Sequence, residues 1–354
     1  MTLEDLGYTK ELEAYRKEQN LDSFGIGRVI SEHKGRFSVK TDSAEFDAEV
    51  IGNMRFTASN RIDLPVVGDW VSIAEYDDNK ALIHAIFPRK SIIERKAVGK
   101  FGQTQIIASN IDFGIIVQSI NRDFNINRLE RYLTICNASK IEPIIILSKV
   151  DLIDKQQMEE LLSQIKERIK NIPIFAISNQ TQLGIDELKS KLIKGCTYCL
   201  LGSSGVGKST LINTLTGTIM MDTGEISKSI DRGKHVTSHR ELLVLENGIL
   251  IDNPGMREVG ITDSSGGLEI TFDKILTFAQ DCKFNDCTHT NEKGCAVLAA
   301  IENEELDSDS YANYLKMEKE KMHFESNAQE RKKKDKDLGK LIKRIKKQKR
   351  NIKY

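Results

Sequence analysis

Gly202-Ser203-Ser204-Gly205-Val206-Gly207-Lys208-Ser209 matches the P-loop pattern GxxxxGK[ST] at every fixed position, and no other stretch restricts the fold so tightly. The pattern works only between a buried strand and a helix. Its glycines let successive backbone N–H groups close around a phosphate with no Cβ in the way, and the helix turns its positive end to the same anion. Both flanks are present: residues 198–201 are apolar, and Leu211-Ile212-Asn213-Thr214-Leu215 is a good helix. In this frame Lys208 supplies a point charge to the β- and γ-phosphates, and the Ser209 hydroxyl ligates Mg²⁺.

The surrounding chain has the rhythm such a loop requires. Residues 112–119 form a continuous apolar run, as in a strand buried on both faces. Helical spacing follows over 127–139, with Leu129, Tyr132, Leu133 and Cys136 on one face. Further strands are predicted at 143–148, 173–177 and 197–201, and helices at 156–170 and 185–192. This alternation means a parallel sheet in an α/β domain. Beyond the P-loop helix, segments 241–245 and 249–252 flank Asn247-Gly248, a strong hairpin signal.

A P-loop does not choose between ATP and GTP. Asp252-Asn253-Pro254-Gly255, at a strand end, matches the DxxG element, with Asp252 behind the Mg²⁺ and the Gly255 N–H facing the γ-phosphate. Between the two motifs, Arg232-Gly233-Lys234-His235-Val236-Thr237-Ser238 is polar and shows little secondary-structure signal. A switch loop belongs there, with Thr237 binding Mg²⁺ and sensing the γ-phosphate. Guanine recognition needs a carboxylate facing N1–H and N2–H₂ of the base, usually in [NT]KxD. Downstream of the P-loop there is none. Upstream, Ser148-Lys149-Val150-Asp151 ends a buried strand, and Ala176-Ile177-Ser178-Asn179 after the next strand resembles the SA-type loop that backs the base. Ser148 keeps a hydroxyl but is shorter than the usual Asn, which predicts weaker nucleotide affinity. Base loops therefore precede phosphate loops, a circular permutation of the usual GTPase order. Permutation leaves each site loop at the carboxyl end of its strand. Met256 stands where many GTPases carry a water-orienting Gln, so slow intrinsic turnover is expected. His235 is the internal candidate for that task, against a reading as a solvated or RNA-contacting loop histidine.

Cys282, Cys287, His289 and Cys295 form C-x4-C-x-H-x5-C. Three thiolates and one imidazole fill a tetrahedral Zn²⁺ site and leave no position open for catalysis. Cys196 and Cys199 lead into the P-loop strand and are expected in the core, as is Cys136. Six Cys in 354 residues do not make a disulfide scaffold. The N-terminus is rich in Glu, Asp and Lys and has no apolar signal region, and no apolar run approaches the roughly 20 residues of a spanning helix. A cytoplasmic, membrane-free location is the expectation.

Net charge is zero, from 52 basic and 52 acidic residues, yet residues 331–354 hold 13 Lys and Arg against two Asp. An acidic body with a basic tail points to a polyanionic partner, most often nucleic acid. Leu338, Leu341, Ile342 and Ile345 give the tail an apolar stripe. It reads as a basic amphipathic helix that docks on RNA; a helix packed on the body and a membrane-surface helix are the other readings.

Residues from about 24 to 95 read as β structure, with alternation at 28–30, 37–40, 46–50 and 70–75. Turn signals at Lys34-Gly35, Gly52-Asn53, Gly68-Asp69 and Asp78-Asn79 separate them. Five or so short strands fit a small closed barrel of the OB type. An SH3-like barrel or a β-sandwich fragment fits nearly as well.

The whole arrangement resembles the ribosome small-subunit-dependent GTPase A family (RsgA). The motifs that carry the likeness are GRVI at 27–30, GDWV at 68–71, SKVD, GSSGVGKST, RGKHVTSHR, DNPGMRE and the Cys/His knuckle. The resemblance implies a multidomain β plus α/β protein: an N-terminal segment and OB barrel (1–97), a circularly permuted P-loop GTPase domain (98–268), a helical zinc-knuckle module (269–330) and the basic tail (331–354). It implies GTP hydrolysis to GDP and phosphate, stimulated by the small ribosomal subunit in its late maturation, with contact to the subunit's rRNA and a monomeric state. Carried onto this chain, Gly202, Ser203, Ser204, Gly205, Val206, Gly207, Lys208, Ser209 and Thr210 bind phosphates, while Ser148, Lys149, Val150, Asp151 and Ser178 read guanine. Lys208, Thr237, Gly255 and His235 are the catalytic candidates. Ser209, Thr237 and Asp252 serve Mg²⁺, and Cys282, Cys287, His289 and Cys295 hold one structural zinc. Val236 stands where many members have Thr, so Thr237 carries the switch role alone. A second reading is an RNA-binding assembly module whose nucleotide site is structural; the intact Lys208, Ser209, Asp252 and Asp151 favour the enzyme.

Overall fold

The computed structural model describes residues 1–96, 104–121, 124–217, 241–252 and 266–322. A short helix α1 (Lys10–Glu18) precedes five strands: β1 (Gly25–His33), β2 (Arg36–Lys40), β3 (Glu45–Val50), then, after helix α2 (Gly52–Thr57), β4 (Trp70–Asp77) and β5 (Lys80–Ile86). β1 pairs with β2 and β2 with β3; β3 runs parallel to β5; β5 pairs with β4, and β4 returns to β1. The circuit closes a five-stranded barrel, which decides among the three β architectures open from sequence. Alternate residues point inward, including Val29, Phe37, Val39, Phe46, Ile73 and Ile83, all buried. Gly52-Asn53, expected as a turn, is the first turn of α2. The reason is topological: β5 lies between β3 and β4 in the barrel wall. The chain must therefore cross the barrel end, and a helix with Met54 packed on the core spans that gap.

β6 (Ile92–Lys96) and β7 (Thr104–Ser109) pair as a separate ribbon that the sequence pattern alone does not separate out. The expected domain boundary at 97/98 lies between them, outside the described residues. The α/β elements come next: β8 (Phe113–Ser119), α3 (Ile126–Ala138), β9 (Glu142–Ser148), α4 (Lys155–Arg168), β10 (Ile174–Ile177), α5 (Ile185–Lys191), β11 (Thr197–Leu201), α6 (Lys208–Thr216), β12 (Glu241–Leu245) and β13 (Gly248–Asp252). The sheet order is β10-β9-β8-β11-β13-β12, parallel throughout except for the β12–β13 hairpin. Leu245 pairs with Gly248, so the hairpin turn is Glu246-Asn247, one residue earlier than expected. The strands read as unbroken apolar runs because both faces are covered. Ile116, Cys199 and Leu201 face the layer of Leu129, Leu133 and Ile165. Their strand neighbours Ile115, Tyr198 and Leu200 face Leu188, Leu211 and Ile212.

Barrel and α/β domain meet at a buried polar joint. Arg28, 1% exposed, donates to the carbonyls of Leu6 (2.6 Å), Gly68 (3.2 Å) and Asn110 (3.0 Å), and its guanidinium lies 5.7 Å from the Trp70 ring centre. Burial pulls Arg28 down to about 10, with Asp112 and Asp69 opposing the shift, so it stays charged at neutral pH. Asp69 is fully buried and accepts from Arg89 Nε (2.8 Å), an Arg89 Nη (2.7 Å), the Val66 N–H (2.9 Å) and the Ser109 hydroxyl. Ser31 of β1 pairs with Glu241 of β12, joining barrel and sheet edge.

The C-terminal module comprises α7 (Gly267–Thr271), α8 (Asp273–Ala279), α9 (Ala296–Glu302) and α10, helical over residues 308–322. Its own core holds Leu268, Phe272, Ile275, Val297, Tyr314 and Met317. It sits on α3. A Cβ at Gly267 would lie 2.4 Å from the Ala138 N and 2.5 Å from the Thr134 O, so only glycine permits this backbone contact. Glu130 of α3, 2% exposed, accepts from Arg168 (2.7 and 3.0 Å), Asn313 (2.6 Å) and Ser310 (2.9 Å). Arg131 makes two bonds to Glu320, at 2.9 and 2.8 Å. No helix among the described residues is long and apolar enough to cross a membrane.

The joint sets a stability prediction. Asp69→Ala leaves the Arg89 guanidinium, still bonded to the Ile62 and Leu64 carbonyls, without its counter-charge and the Val66 N–H without its acceptor, and should cost about 3 kcal/mol. Asp47→Ala, which removes an exposed partner of Arg36, should cost roughly 0.5 kcal/mol or less. Urea unfolding followed by the fluorescence of Trp70, the single tryptophan, checks both.

Candidate nucleotide site and metal centre

Because the strands are parallel, the loops leaving β9, β10, β11 and β13 gather at one edge. β9 ends at Ser148, β10 leads to Ser178, β11 opens into Gly202 and β13 ends at Asp252. The P-loop has the conformation its glycines allow: Gly202 has φ +148°, and a Cβ there would lie 2.4 Å from the Val117 carbonyl; Gly207 has φ +96°. Lys208 is the first residue of α6, and its Nζ donates to the carbonyls of Gly202 (2.7 Å) and Ser203 (2.6 Å). Ser209 and Thr210 come next in the first turn, where helix N–H groups have no partner within the helix.

The loops expected to read the base lean on the P-loop. Lys149 takes a left-handed conformation at φ +62°, which turns the chain sharply after β9, and its Nζ donates to the Gly205 carbonyl at 2.8 Å. Buried Ser148 donates to the Val206 carbonyl at 2.6 Å, so the short side chain does reach the loop. Val150 is buried and anchors the turn that holds Asp151. One Asp151 carboxylate oxygen accepts from Ser178 Oγ at 2.5 Å, and Ser178 is fully buried. That bond fixes the carboxylate and leaves its other oxygen to accept from a base edge. The site thus joins a fixed anionic acceptor to a cluster of backbone N–H donors, a combination suited to a purine nucleotide.

Two contacts are not foreshadowed by the sequence pattern. Tyr132 of α3 lies beside the Ser203 side chain; burial raises its hydroxyl, and the nearby Ser203 opposes that shift. Its helical spacing shows only that it faces inward. Asn179 Nδ2 donates to the Gly207 carbonyl at 3.4 Å; its position after Ser178 is visible in the sequence, its reach is not. Asp252 is buried at the end of β13, on the same edge as Ser209, and their oxygens suit a hard cation. Thr237, His235, Val236, Gly255 and Met256 lie outside the described residues, as does the tail 331–354.

Cys282, Cys287, His289 and Cys295 come together, their ligand atoms all within 4.8 Å of one another. The Cys282 and Cys295 sulfurs are 3.9 Å apart, and each lies 3.5 Å from His289 Nδ1. Tetrahedral bonds of about 2.3 Å to sulfur and 2.0–2.1 Å to nitrogen require separations of roughly 3.8 and 3.6 Å. The donor set and its spacing therefore fit one four-coordinate soft-ligand metal. Cys295 caps α9, accepting the Leu298 N–H at 3.5 Å, and Tyr311 donates to the His289 carbonyl. Cys136 and Cys199 are fully buried in the sheet core, as expected, and Cys196 is half-buried.

The RsgA GTPase family model matches residues 86–262, which include both base loops and the P-loop. An ABC transporter model matches residues 185–348, a span that holds the P-loop but neither base loop. A Bacteroides thetaiotaomicron protein named small ribosomal subunit biogenesis GTPase RsgA 1 is 36% identical over 351 residues, 98% of this chain and 97% of that one. A Listeria monocytogenes protein named small ribosomal subunit biogenesis GTPase RsgA 2 is 39% identical over 346 residues, 97% of this chain and 96% of that one. The crystal structure of YjeQ from Thermotoga maritima is similar with a TM-score of 0.62 at 25% identity, covering 84% of this chain and 98% of that one. The crystal structure of YloQ, a circularly permuted GTPase, has the same fold at a TM-score of 0.62 and 24% identity, covering 85% and 96%. Barrel, permuted site loops and Cys/His cluster occur here in one chain with these likenesses, and the chain belongs to the RsgA GTPase family.

Proposed function

We propose that this chain hydrolyses GTP to GDP and phosphate on the small ribosomal subunit during its late maturation, and that the subunit stimulates the reaction. The observation that carries the reading is the convergence of Asp151, held by Ser178, with the P-loop on one sheet edge. Asp151 accepts from N1–H and N2–H₂ of guanine, backed by Ser148, Lys149, Val150 and Ser178. Residues Gly202–Thr210 cradle the phosphates, and Lys208 moves from its loop carbonyls to the β- and γ-oxygens. Mg²⁺ bound with the nucleotide would neutralise phosphate charge, with Ser209 and Thr237 to hold it and Asp252 behind them. The Gly255 N–H faces the γ-phosphate, and His235 orients the attacking water in place of the glutamine that Met256 replaces. The Cys/His cluster holds one structural zinc. The basic tail contacts rRNA, and the protein works as a cytoplasmic monomer. The relatives named for small-subunit biogenesis support the partner.

Steady-state GTP hydrolysis should be slow for the chain alone and rise at least tenfold with purified small subunits, with no rise from large subunits and no hydrolysis of ATP. Absence of stimulation with RNA binding intact would favour the assembly-module reading. Lys208→Ala should lower GTP affinity by about tenfold or more with an unchanged melting temperature, and unaltered affinity would remove the P-loop assignment. Chelation should release one equivalent of zinc and abolish hydrogen-exchange protection in residues 266–322 while the barrel stays protected; retained protection would count against the cluster as a folding element.

A further inference from the structure

Three consecutive P-loop carbonyls accept hydrogen bonds from side chains of the neighbouring loops. Gly205 O accepts from Lys149 at 2.8 Å and Val206 O from Ser148 at 2.6 Å; Gly207 O, which takes the first α6 bond from the Leu211 N–H at 2.9 Å, also accepts from Asn179 at 3.4 Å. A trans peptide is planar, so its carbonyl and its N–H point in opposite directions. Drawing these carbonyls toward the base loops turns the N–H groups of Val206, Gly207 and Lys208 to the other side, where an anion is cradled. Lys149 and Ser148 belong to the motif already assigned to the base. Asn179 ends the loop that backs the base, and its side chain has no assigned role. An ideal Cβ on Gly207 would lie 3.3 Å from Asn179 Nδ2 and 4.0 Å from Ser148 Oγ. The short hydroxyl and the longer carboxamide thus close on one point of the loop from two strands. Asn179 Oδ1 is buried with no hydrogen-bond partner among the described residues. Desolvating a carboxamide in this way costs stability, and the fold nevertheless keeps it against the P-loop.

We propose that Asn179 is a positioning residue for the phosphate nest: its carboxamide adds a second hold on the Gly207 carbonyl, beside the α6 bond from Leu211, and so keeps the Lys208 N–H turned toward the anion. It acts through the P-loop and not on the base. The proposal rests on the reading of Gly202–Ser209 as the nest and Asp151 as the base reader.

The test measures dissociation constants of the full-length chain for Mg·GDP and for inorganic tripolyphosphate, each by displacement of a fluorescent GDP analogue. Asn179→Ala should weaken both ligands by the same factor, about fivefold. Asn179→Asp, which keeps the shape and removes the donor, should do the same with an unchanged melting temperature. Ser148→Asn added to Asn179→Ala should recover most of the loss, because a longer carboxamide then reaches the loop from β9. Asp151→Asn should weaken GDP at least tenfold and leave tripolyphosphate unchanged. If Asn179→Ala weakens GDP alone, or neither ligand, the positioning role is overturned. If Asp151→Asn leaves GDP unchanged, the base reading beneath it fails instead.

Discussion

Parallel pairing of β11 with β8 on one side and β13 on the other is the constraint on which the site depends. The P-loop requires a strand held on both edges, because a loop of backbone donors has no rigidity of its own. The start of β11 is pinned as well: the Asp112 N–H donates to the Thr197 carbonyl at 2.9 Å, and the Thr197 N–H returns a bond to the Asp112 carboxylate at 2.8 Å. With β11 central, the loops from β9 and β10 arrive from one side and Asp252 from the other. Chain order does not enter this geometry, which is why a permuted sequence can build the same site. Permutation matters for the connection out of the site: beyond β13 the chain continues into the metal-cluster module.

Two joints tie the outer modules to this sheet by different means. The barrel side uses buried charge, with Arg28 bonded to three carbonyls and Asp69 saturated by four donors. Such a joint contributes little net stability over an apolar one, yet it fails sharply when one partner is lost. The C-terminal side uses α3. One part of that helix places Tyr132 beside Ser203 of the P-loop, while Glu130 and Arg131 hold α10. A single helix therefore lies beside the phosphate loop and bonds the module that carries the Cys/His cluster.

Much of this is legible in the sequence because the relevant signals are local. Strands covered on both faces must be apolar throughout, so 112–119 and 143–148 stand out. The P-loop, Asp151 with Ser178, and the Cys/His cluster are readable because their chemistry dictates residue type at fixed spacing. Pairings between distant segments are not readable. GRVI is visible as a motif, but nothing local says that Arg28 will reach Leu6 and Asn110. Helix α1 has no fully buried residue and packs only Leu12 and Tyr15 on the Trp70 and Phe87 cluster, so it carries little periodic signal. The register of β6 with β7, the crossing that makes α2 a helix, and the reach of Asn179 to Gly207 all depend on topology. The barrel type is undecided until the β3–β5 parallel pair and the β4–β1 closure fix it.

If one sheet edge reads base and phosphate together, a guanine nucleotide must engage both sets of loops at once. Backbone hydrogen exchange with saturating Mg·GDP, compared with Mg·ADP at the same concentration, tests this most directly. GDP should protect the amides of residues 206–210 together with those of 148–151 and 178–179, and ADP should protect none of them. Equal protection of the P-loop by ADP, or protection of the P-loop by GDP with the base loops unchanged, would contradict it.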